Sequence, residues 1–285
     1  MSDTEIDVTD AELTESLAAV TDAEPLVQAL TNEVTMNDVA NLILHWGALP
    51  VMADSPGDAG EMARAASAVL VNTGQVPDGK IEAMHEAVET ATEREVPVVL
   101  DPVGVGSTPT REAVAEDLLS TTEFSIIKGN YGEISSLAGV DSQVRGVESV
   151  GDYEEIERAA RSLADSTGAI VVASGVEDIV ADADSAYRIA AGHELLGEVV
   201  GTGCMLGATL AAFSGAVEDE HAAALHGTLA FGIAGERAAE LAYRGPESYR
   251  TNFHDAVYGF SAESTDRDAD ESLEVDLEDR IERVV

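Results

Sequence analysis

Two glycines set around a threonine, then a cysteine and a run of small or apolar residues, make up Gly201-Thr202-Gly203-Cys204-Met205-Leu206-Gly207. This pattern predicts a helix whose first turn offers free backbone N–H groups to an anion, because glycines leave no side chains over those groups. The segment is not a Walker-type phosphate loop, since no Gly-Lys-Ser/Thr follows, and its third glycine falls one residue late for a dinucleotide fingerprint. A tight turn with close helix packing would use the same residues. The segment therefore needs company before it means chemistry.

Three other junctions supply that company. Asp101-Pro102-Val103-Gly104-Val105-Gly106 follows the apolar run Val98-Val99-Leu100, which places a carboxylate at the end of a strand. Lys128-Gly129-Asn130 runs into Tyr131-Gly132-Glu133 and brings a cation, an amide and a carboxylate to another strand-to-helix junction. Val172-Ala173-Ser174-Gly175 closes a strand with a hydroxyl suited to a nucleotide phosphate. Each has a plainer use: Asp101 as a turn cap, Asn130 with Glu133 as a capping pair, Ser174 as a turn residue. Taken together they offer two carboxylates for Mg²⁺, a cation for phosphate and an anion hole, which is the equipment of a phosphoryl transferase. There is no HExxH, and His221 and His226 lack zinc-helix spacing, which argues against a metallohydrolase.

Elements must carry these residues to one place. Short β-branched apolar runs alternate with longer Ala- and Glu-rich segments of helical period, which is the signature of βαβ units. Strands are expected at 49–52, 68–72, 98–100, 124–128 and 170–174, with a hairpin near 179–180 and 187–190. Helices are expected at 38–46, 80–93, 110–120, 131–137, 153–167, 204–214 and 222–242. The fold class is α/β, a doubly wound and mostly parallel sheet flanked by helices, in which ligands sit outside the carboxyl ends of the strands. One domain at 25–261 is expected between an acidic N-terminal extension, 1–24, read as a solvated lead-in helix around Leu13, Leu17 and Val20, and an acidic tail, 262–285, read as peripheral or partly disordered.

Bulk composition narrows the partners. The 285 residues are 45% hydrophobic and only 4% aromatic, so the core must be built from Ala, Val, Leu and Ile. With 55 acidic against 15 basic side chains the formal charge is −40, which repels nucleic acid and anionic lipid. Such a charge strains a compact state unless salt screens it, and the Debye length falls to about 3 Å at 1 M salt, so the cytoplasm of a salt-adapted organism is expected. Lys80 and Lys128 are the sole lysines, the other basic residues being arginines, which makes each lysine informative. Cys204 is the one cysteine, which rules out an internal disulfide and fits a reducing compartment. The N-terminal residues do not read as a signal peptide, and no apolar run approaches the ~20 residues of a membrane helix.

Several ordered segments together resemble one family. They are residues 25–41 (PLVQALTNEVTMNDVAN), 48–52 (ALPVM), 101–106 (DPVGVG), the Lys128-Gly129-Asn130 junction with Glu133, 201–208 (GTGCMLGA), 231–236 (FGIAGE) and 245–248 (GPES). The set is similar to the hydroxyethylthiazole kinases, ribokinase-like enzymes of thiamine salvage. The resemblance implies ATP as co-substrate, Mg²⁺, the primary alcohol of 4-methyl-5-(2-hydroxyethyl)thiazole as acceptor, and a homotrimer with sites between subunits. It also implies that Asn32, Met52 and Gly201 meet the thiazole, that Lys128 and Ser174 meet ATP, and that Asp101 and Glu133 are the metal-region carboxylates. By the same resemblance Gly201, Thr202, Gly203 and Cys204 are expected to form the catalytic loop, with Cys204 where most ribokinase-like enzymes place a catalytic aspartate. Lys128 stands where the family usually has Arg, and Val200 where it often has Thr. A thiol of reference pKa about 8.5 is a poor base at neutral pH, so positioning and electrostatics are expected to do most of the catalysis. Rival expectations are a related kinase for hydroxymethylpyrimidine or a sugar, an NAD-dependent oxidoreductase lacking the usual first-strand GxGxxG, and a non-enzymatic acidic binding protein.

Overall fold

The computed structural model describes residues 8–140, 153–265, 277 and 279–284. In chain order the elements are α1 (Asp10–Ala23), β1 (Leu26–Leu30), α2 (Met36–His45), β2 (Leu49–Val51), α3 (Asp58–Ala63), β3 (Ala68–Asn72) and α4 (Asp78–Glu93). There follow β4 (Val98–Asp101), α5 (Pro109–Thr121), β5 (Ile126–Asn130), α6 (Tyr131–Leu137), α7 (Tyr153–Thr167), β6 (Ile170–Ser174), β7 (Asp178–Ala181) and β8 (Ala186–Ile189). A short 3₁₀ turn, Glu194–Glu198, leads into α8 (Thr202–Ser214), α9 (Glu220–Glu240), α10 (Pro246–Thr265) and β9 (Ile281–Arg283).

Among the described residues one nine-stranded sheet runs in the order β2-β1-β3-β4-β5-β6-β7-β8-β9. All pairings from β2 across to β6 are parallel, and the last three are antiparallel. Parallel strands need crossovers, and the helices that provide them cover both faces. Strand residues alternate between two cores. Ala68 and Leu70 of β3 join the side packed by α1, α2, α8, α9 and α10, while Val69 and Val71 join the side packed by α3 to α7. Near-continuous burial of these strands follows from being covered twice. The chain leaves β1 toward β2 on one side and then crosses to β3 on the other, so the topological switch point lies at β1.

Helix α8 is buried on every side from Cys204 to Ser214, which its run of small and apolar residues permits. It lies between the sheet and the outer helices. Trp46 Nε1, at the end of α2, donates to Thr209 Oγ1 of α8 at 2.8 Å and fixes that helix in register against its neighbour. Helix starts follow local chemistry: Asp219 Oδ1 accepts from Ala222 N at 2.8 Å to cap α9, and Thr108 precedes Pro109 at the first position of α5.

Strands β3 and β6 and helices α6 and α7 fall where the pattern predicts, and the ends of the other expected elements shift by no more than about two residues. β1, α3 and α10 stand where no element is expected. β1 escapes notice because Gln28 interrupts its apolar run, yet Gln28 is fully buried and its Nε2 donates to the carbonyls of Ala53 and Ala59. The expectation of a solvated lead-in helix is corrected for α1. Leu13, Leu17 and Val20 are no more than 1% exposed, and Ser16 Oγ sits 2.7 Å from His226 Nδ1 of α9. In the tail, Ile281–Arg283 adds a strand to the sheet beside β8, so this part is ordered at its edge. Residues 1–7 and 266–276, to which the acidic-end expectations also apply, lie outside the described residues. No helix of the described residues is long and apolar enough to cross a membrane.

Candidate active site

The carboxyl ends of five parallel strands lie side by side. Asn32 follows β1, Asn72 closes β3, Asp101 closes β4, Lys128 and Asn130 end β5, and Ser174 closes β6. The ladder sets Asn72 beside Asp101, and Asn130 beside Ser174. The N-terminus of α8 comes down on this row. Gly201 occupies its cap with φ 96°, a left-handed conformation that disfavours a side chain, and a Cβ there would run into Thr35 Cγ2. At Gly203 a Cβ would lie 3.0 Å from Lys128 Nζ, so the ammonium rests against the first turn of the helix.

Cys204 sits in that first turn, 8% exposed. Its Sγ accepts from Asn32 Nδ2 at 3.4 Å and from Asn72 Nδ2 at 3.3 Å. Burial first, and the Asp101 carboxylate second, push the thiol above its ordinary value against the opposing pull of Lys128. A helix N-terminus ordinarily favours a thiolate, but here desolvation and the neighbouring carboxylate win, and Cys204 is a neutral thiol at neutral pH.

Asn72 is the hub of the cluster. Its Nδ2 donates to Asp101 Oδ2 at 2.7 Å, and its Oδ1 accepts from Asn32 Nδ2 at 3.1 Å and from Gly74 N at 3.0 Å. Asp101 is fully buried, and Lys128 Nζ approaches its Oδ1 at 3.5 Å. Burial raises the Asp101 pKa to about 6, with the Glu133 charge adding to the rise while Lys128 and Asn72 oppose it. Burial also works against the Lys128 ammonium, yet Asp101, Glu133 and Cys204 together hold its pKa above the ordinary lysine value.

Of the residues singled out from the sequence, Asn32, Asp101, Lys128, Gly203 and Cys204 are therefore brought into one contact network. Glu133 adjoins it electrostatically, but its carboxylate is engaged: Oε1 accepts from Gly104 N at 2.7 Å and Oε2 from Asn130 N at 2.8 Å. With Asn130 Oδ1 accepting from Glu133 N at 2.9 Å, the capping box is formed as well. Thr202 turns its hydroxyl back to the carbonyls of Leu196 and Val199 and helps shape the loop. Ser174 Oγ reaches the Gly129 carbonyl at 3.4 Å, one strand beyond Lys128. Met52 follows the edge strand β2, half-buried against the core, and makes no hydrogen bond to the cluster.

Among the described residues no group of three or more His, Cys, Asp or Glu is placed to hold a metal ion. Mg²⁺ shared with phosphates takes one or two protein carboxylates and keeps several waters. Asp101 and Glu133 fit this use, because their mutual repulsion is a charge that a divalent ion would relieve and each carboxylate oxygen retains an unused lone pair.

Two participants were missed. Asn72 closes an all-apolar buried strand just as Asp101 does, and the same strand-end rule would have found it. Arg111 of α5 donates to the carbonyls of Thr73, Gly74 and Val103, stitching together the turns after β3 and β4. Only the packed helix reveals that role.

A family model for the hydroxyethylthiazole kinase family matches residues 17–263. A hydroxyethylthiazole kinase of Haloquadratum walsbyi is 48% identical over 273 residues, covering 95% of this chain and 92% of that protein. One from Natronomonas pharaonis is 50% identical over 258 residues, covering 90% and 93%. Among solved structures, hydroxyethylthiazole kinase from Pyrococcus horikoshii OT3 superposes with a TM-score of 0.82 at 34% identity, covering 96% of this chain and 99% of that one. Pyridoxal kinase from Staphylococcus aureus, at 16% identity and a TM-score of 0.55, shares the fold. With a buried thiol, an acid and a lysine gathered beneath a glycine-capped helix, and with relatives matched along nearly their whole length, the chain belongs to the hydroxyethylthiazole kinase family.

Proposed function

We propose that the protein transfers the γ-phosphoryl group of ATP to the primary alcohol of 4-methyl-5-(2-hydroxyethyl)thiazole, a step of thiamine biosynthesis and salvage. The observation that carries this reading is the seating of the α8 N-terminus against Lys128, over Asp101, at the carboxyl edge of the sheet. There the amides of Gly201 to Cys204 and the Lys128 ammonium face the place where charge grows on the transferring oxygens. Asn32, Met52 and Gly201 hold the alcohol in line. The Asn32 bond to Cys204 Sγ, at 3.4 Å, is the one an acceptor atom can exchange for its own. Lys128 and Ser174 hold the nucleotide, with Lys128 acting as a point charge where Arg would grip in two places. Asp101 and Glu133 would hold Mg²⁺, which when bound neutralises charge on the triphosphate. Cys204 contributes as a neutral hydrogen-bond partner, and general-base action by its thiol is a minor part of the rate.

Three wider features belong to the same proposal. Val34 and Val200, 68% and 75% exposed, flank Asn32 and Gly201, and apolar side chains beside a site support its completion by neighbouring copies in a homotrimer. The charge of −40 supports work in a high-salt cytoplasm. The same charge supports small-molecule partners alone, with no nucleic acid and no membrane among them.

The test is a panel of alcohols with ATP, MgCl₂ and molar KCl, read by detection of the phosphate ester. The thiazole alcohol should be phosphorylated with the highest kcat/KM. Preference for hydroxymethylpyrimidine or a sugar, or no ester from any alcohol, refutes the assignment.

A further inference from the structure

The second lysine lies outside the phosphate site. Lys80 is the third residue of α4, where a cation opposes the positive end of the helix dipole, and it is only 8% exposed. Both placements are unfavourable for an ammonium, in a chain that otherwise uses arginine almost throughout. What it gains there is specific. Its Nζ donates to the carbonyl of Thr31 and pairs with Asp54 Oδ2 at 3.1 Å.

Those two partners bracket the acceptor side of the proposed site. The Thr31 carbonyl shares a rigid peptide plane with the nitrogen of Asn32, so anchoring one orients the other. Asp54 lies two residues beyond Met52, and between them the Ala53 carbonyl accepts from Gln28 Nε2 at 2.9 Å. β1 and β2 are neighbouring parallel strands, and past their ends the sheet ladder no longer sets the spacing. A compact ammonium with rotatable donors can converge on a carbonyl and a carboxylate from two segments, which a planar guanidinium fork does poorly.

We propose that Lys80 is a positioning residue of the acceptor pocket: it ties the peptide leading into Asn32 to the segment following Met52, and so sets the gap that decides which alcohol fits. This rests on the thiazole-kinase reading, since that reading places the acceptor between Asn32 and Met52. Lys80 itself touches neither ATP nor acceptor. Its loss acts on acceptor binding and leaves the nucleotide half, beyond β4 and β5, as it was.

The full chain in molar KCl, as wild type, Lys80→Met, Lys80→Arg and Asp54→Asn, is assayed with the alcohol and ATP varied in turn. Lys80→Met should raise the KM for the alcohol by about tenfold, equivalent to about 1.4 kcal/mol of lost acceptor binding, with the KM for ATP unchanged. Lys80→Arg should recover part of that loss, and Asp54→Asn should move the same constant the same way by less. Equal movement of both KM values, a fall in kcat alone, or lowered thermal stability with unaltered kinetics overturns the proposal. Should Lys80→Met fail to fold, wild-type KM for the alcohol in both other variants overturns it. Failure of the wild type to phosphorylate the thiazole alcohol counts against the functional reading instead, and the Lys80 ratios are then judged with whichever alcohol it does phosphorylate.

Discussion

Asn72→Ala is the sharpest probe of the cluster under α8. In the wild type the Asn72 amide donates to Asp101 Oδ2 at 2.7 Å and is one of two groups that hold down a carboxyl pKa already raised to about 6. A hydrogen bond to a charged group contributes about 1.5–3 kcal/mol, and one pKa unit corresponds to about 1.4 kcal/mol, so its removal should move the Asp101 titration alkaline by about one to two units. If phosphoryl transfer needs the ionised carboxylate, the acidic limb of the pH profile of kcat/KM, which reports the free enzyme, should move by the same amount. The substitution also strands Gly74 N, at about 1–3 kcal/mol if no water replaces the lost partner, so a lower melting temperature should accompany the shift. The assay is initial rate against pH in molar KCl, with circular dichroism confirming the fold. A folded variant whose acidic limb stays at the wild-type position would show that Asp101 ionisation does not control the reaction, and the electrostatic account of the site would fall with it.

Cys204→Ala should keep turnover within about tenfold of wild type, because a general base ordinarily contributes a hundredfold or more and the buried thiol is protonated at neutral pH; loss of all activity with ATP and acceptor still bound would restore it as a base. His226 is buried and its pKa is lowered from 6.5 to about 4, chiefly by burial, so the unfolded chain binds the extra proton first and stability is lost as pH falls through that window. The loss should reach about 3 kcal/mol by pH 4, and denaturant titrations of His226→Gln should lack this component of the slope. Thermal stability of the wild type should climb steadily between low and molar KCl as screening relieves a charge of −40, and a flat melting curve would count against salt adaptation.

How far the chain was legible depends on the range of each interaction. Strands such as β3 and β6 were visible because burial on both faces demands unbroken apolar runs, and the strand-end rule then located Asp101, Lys128 and Ser174. β1 was hidden because its buried Gln28 looks like a surface residue until its two carbonyl partners, Ala53 and Ala59, are seen. α1 reads as a solvated helix for the converse reason: its acidic character is plain in the sequence, while the helices that cover Leu13, Leu17 and Val20 are α8, α9 and α10, at the far end of the chain. Glu133 shows a mixed outcome, since its local capping partner was readable and its second bond, to Gly104 N, was not.

By itself the sequence determined the α/β class, the charge, the glycine-led helix start and the identity of the acid, the lysine and the thiol, since these depend on residue type and near neighbours. Only the tertiary structure decided that Asn72 would join them, that Asp101 would be buried to a pKa of about 6, that Cys204 would stay protonated, and that Lys80 would join Asp54 to the Thr31 carbonyl. Those outcomes turn on desolvation and on contacts between residues tens to hundreds of positions apart, which exist once the strand order is set and not before.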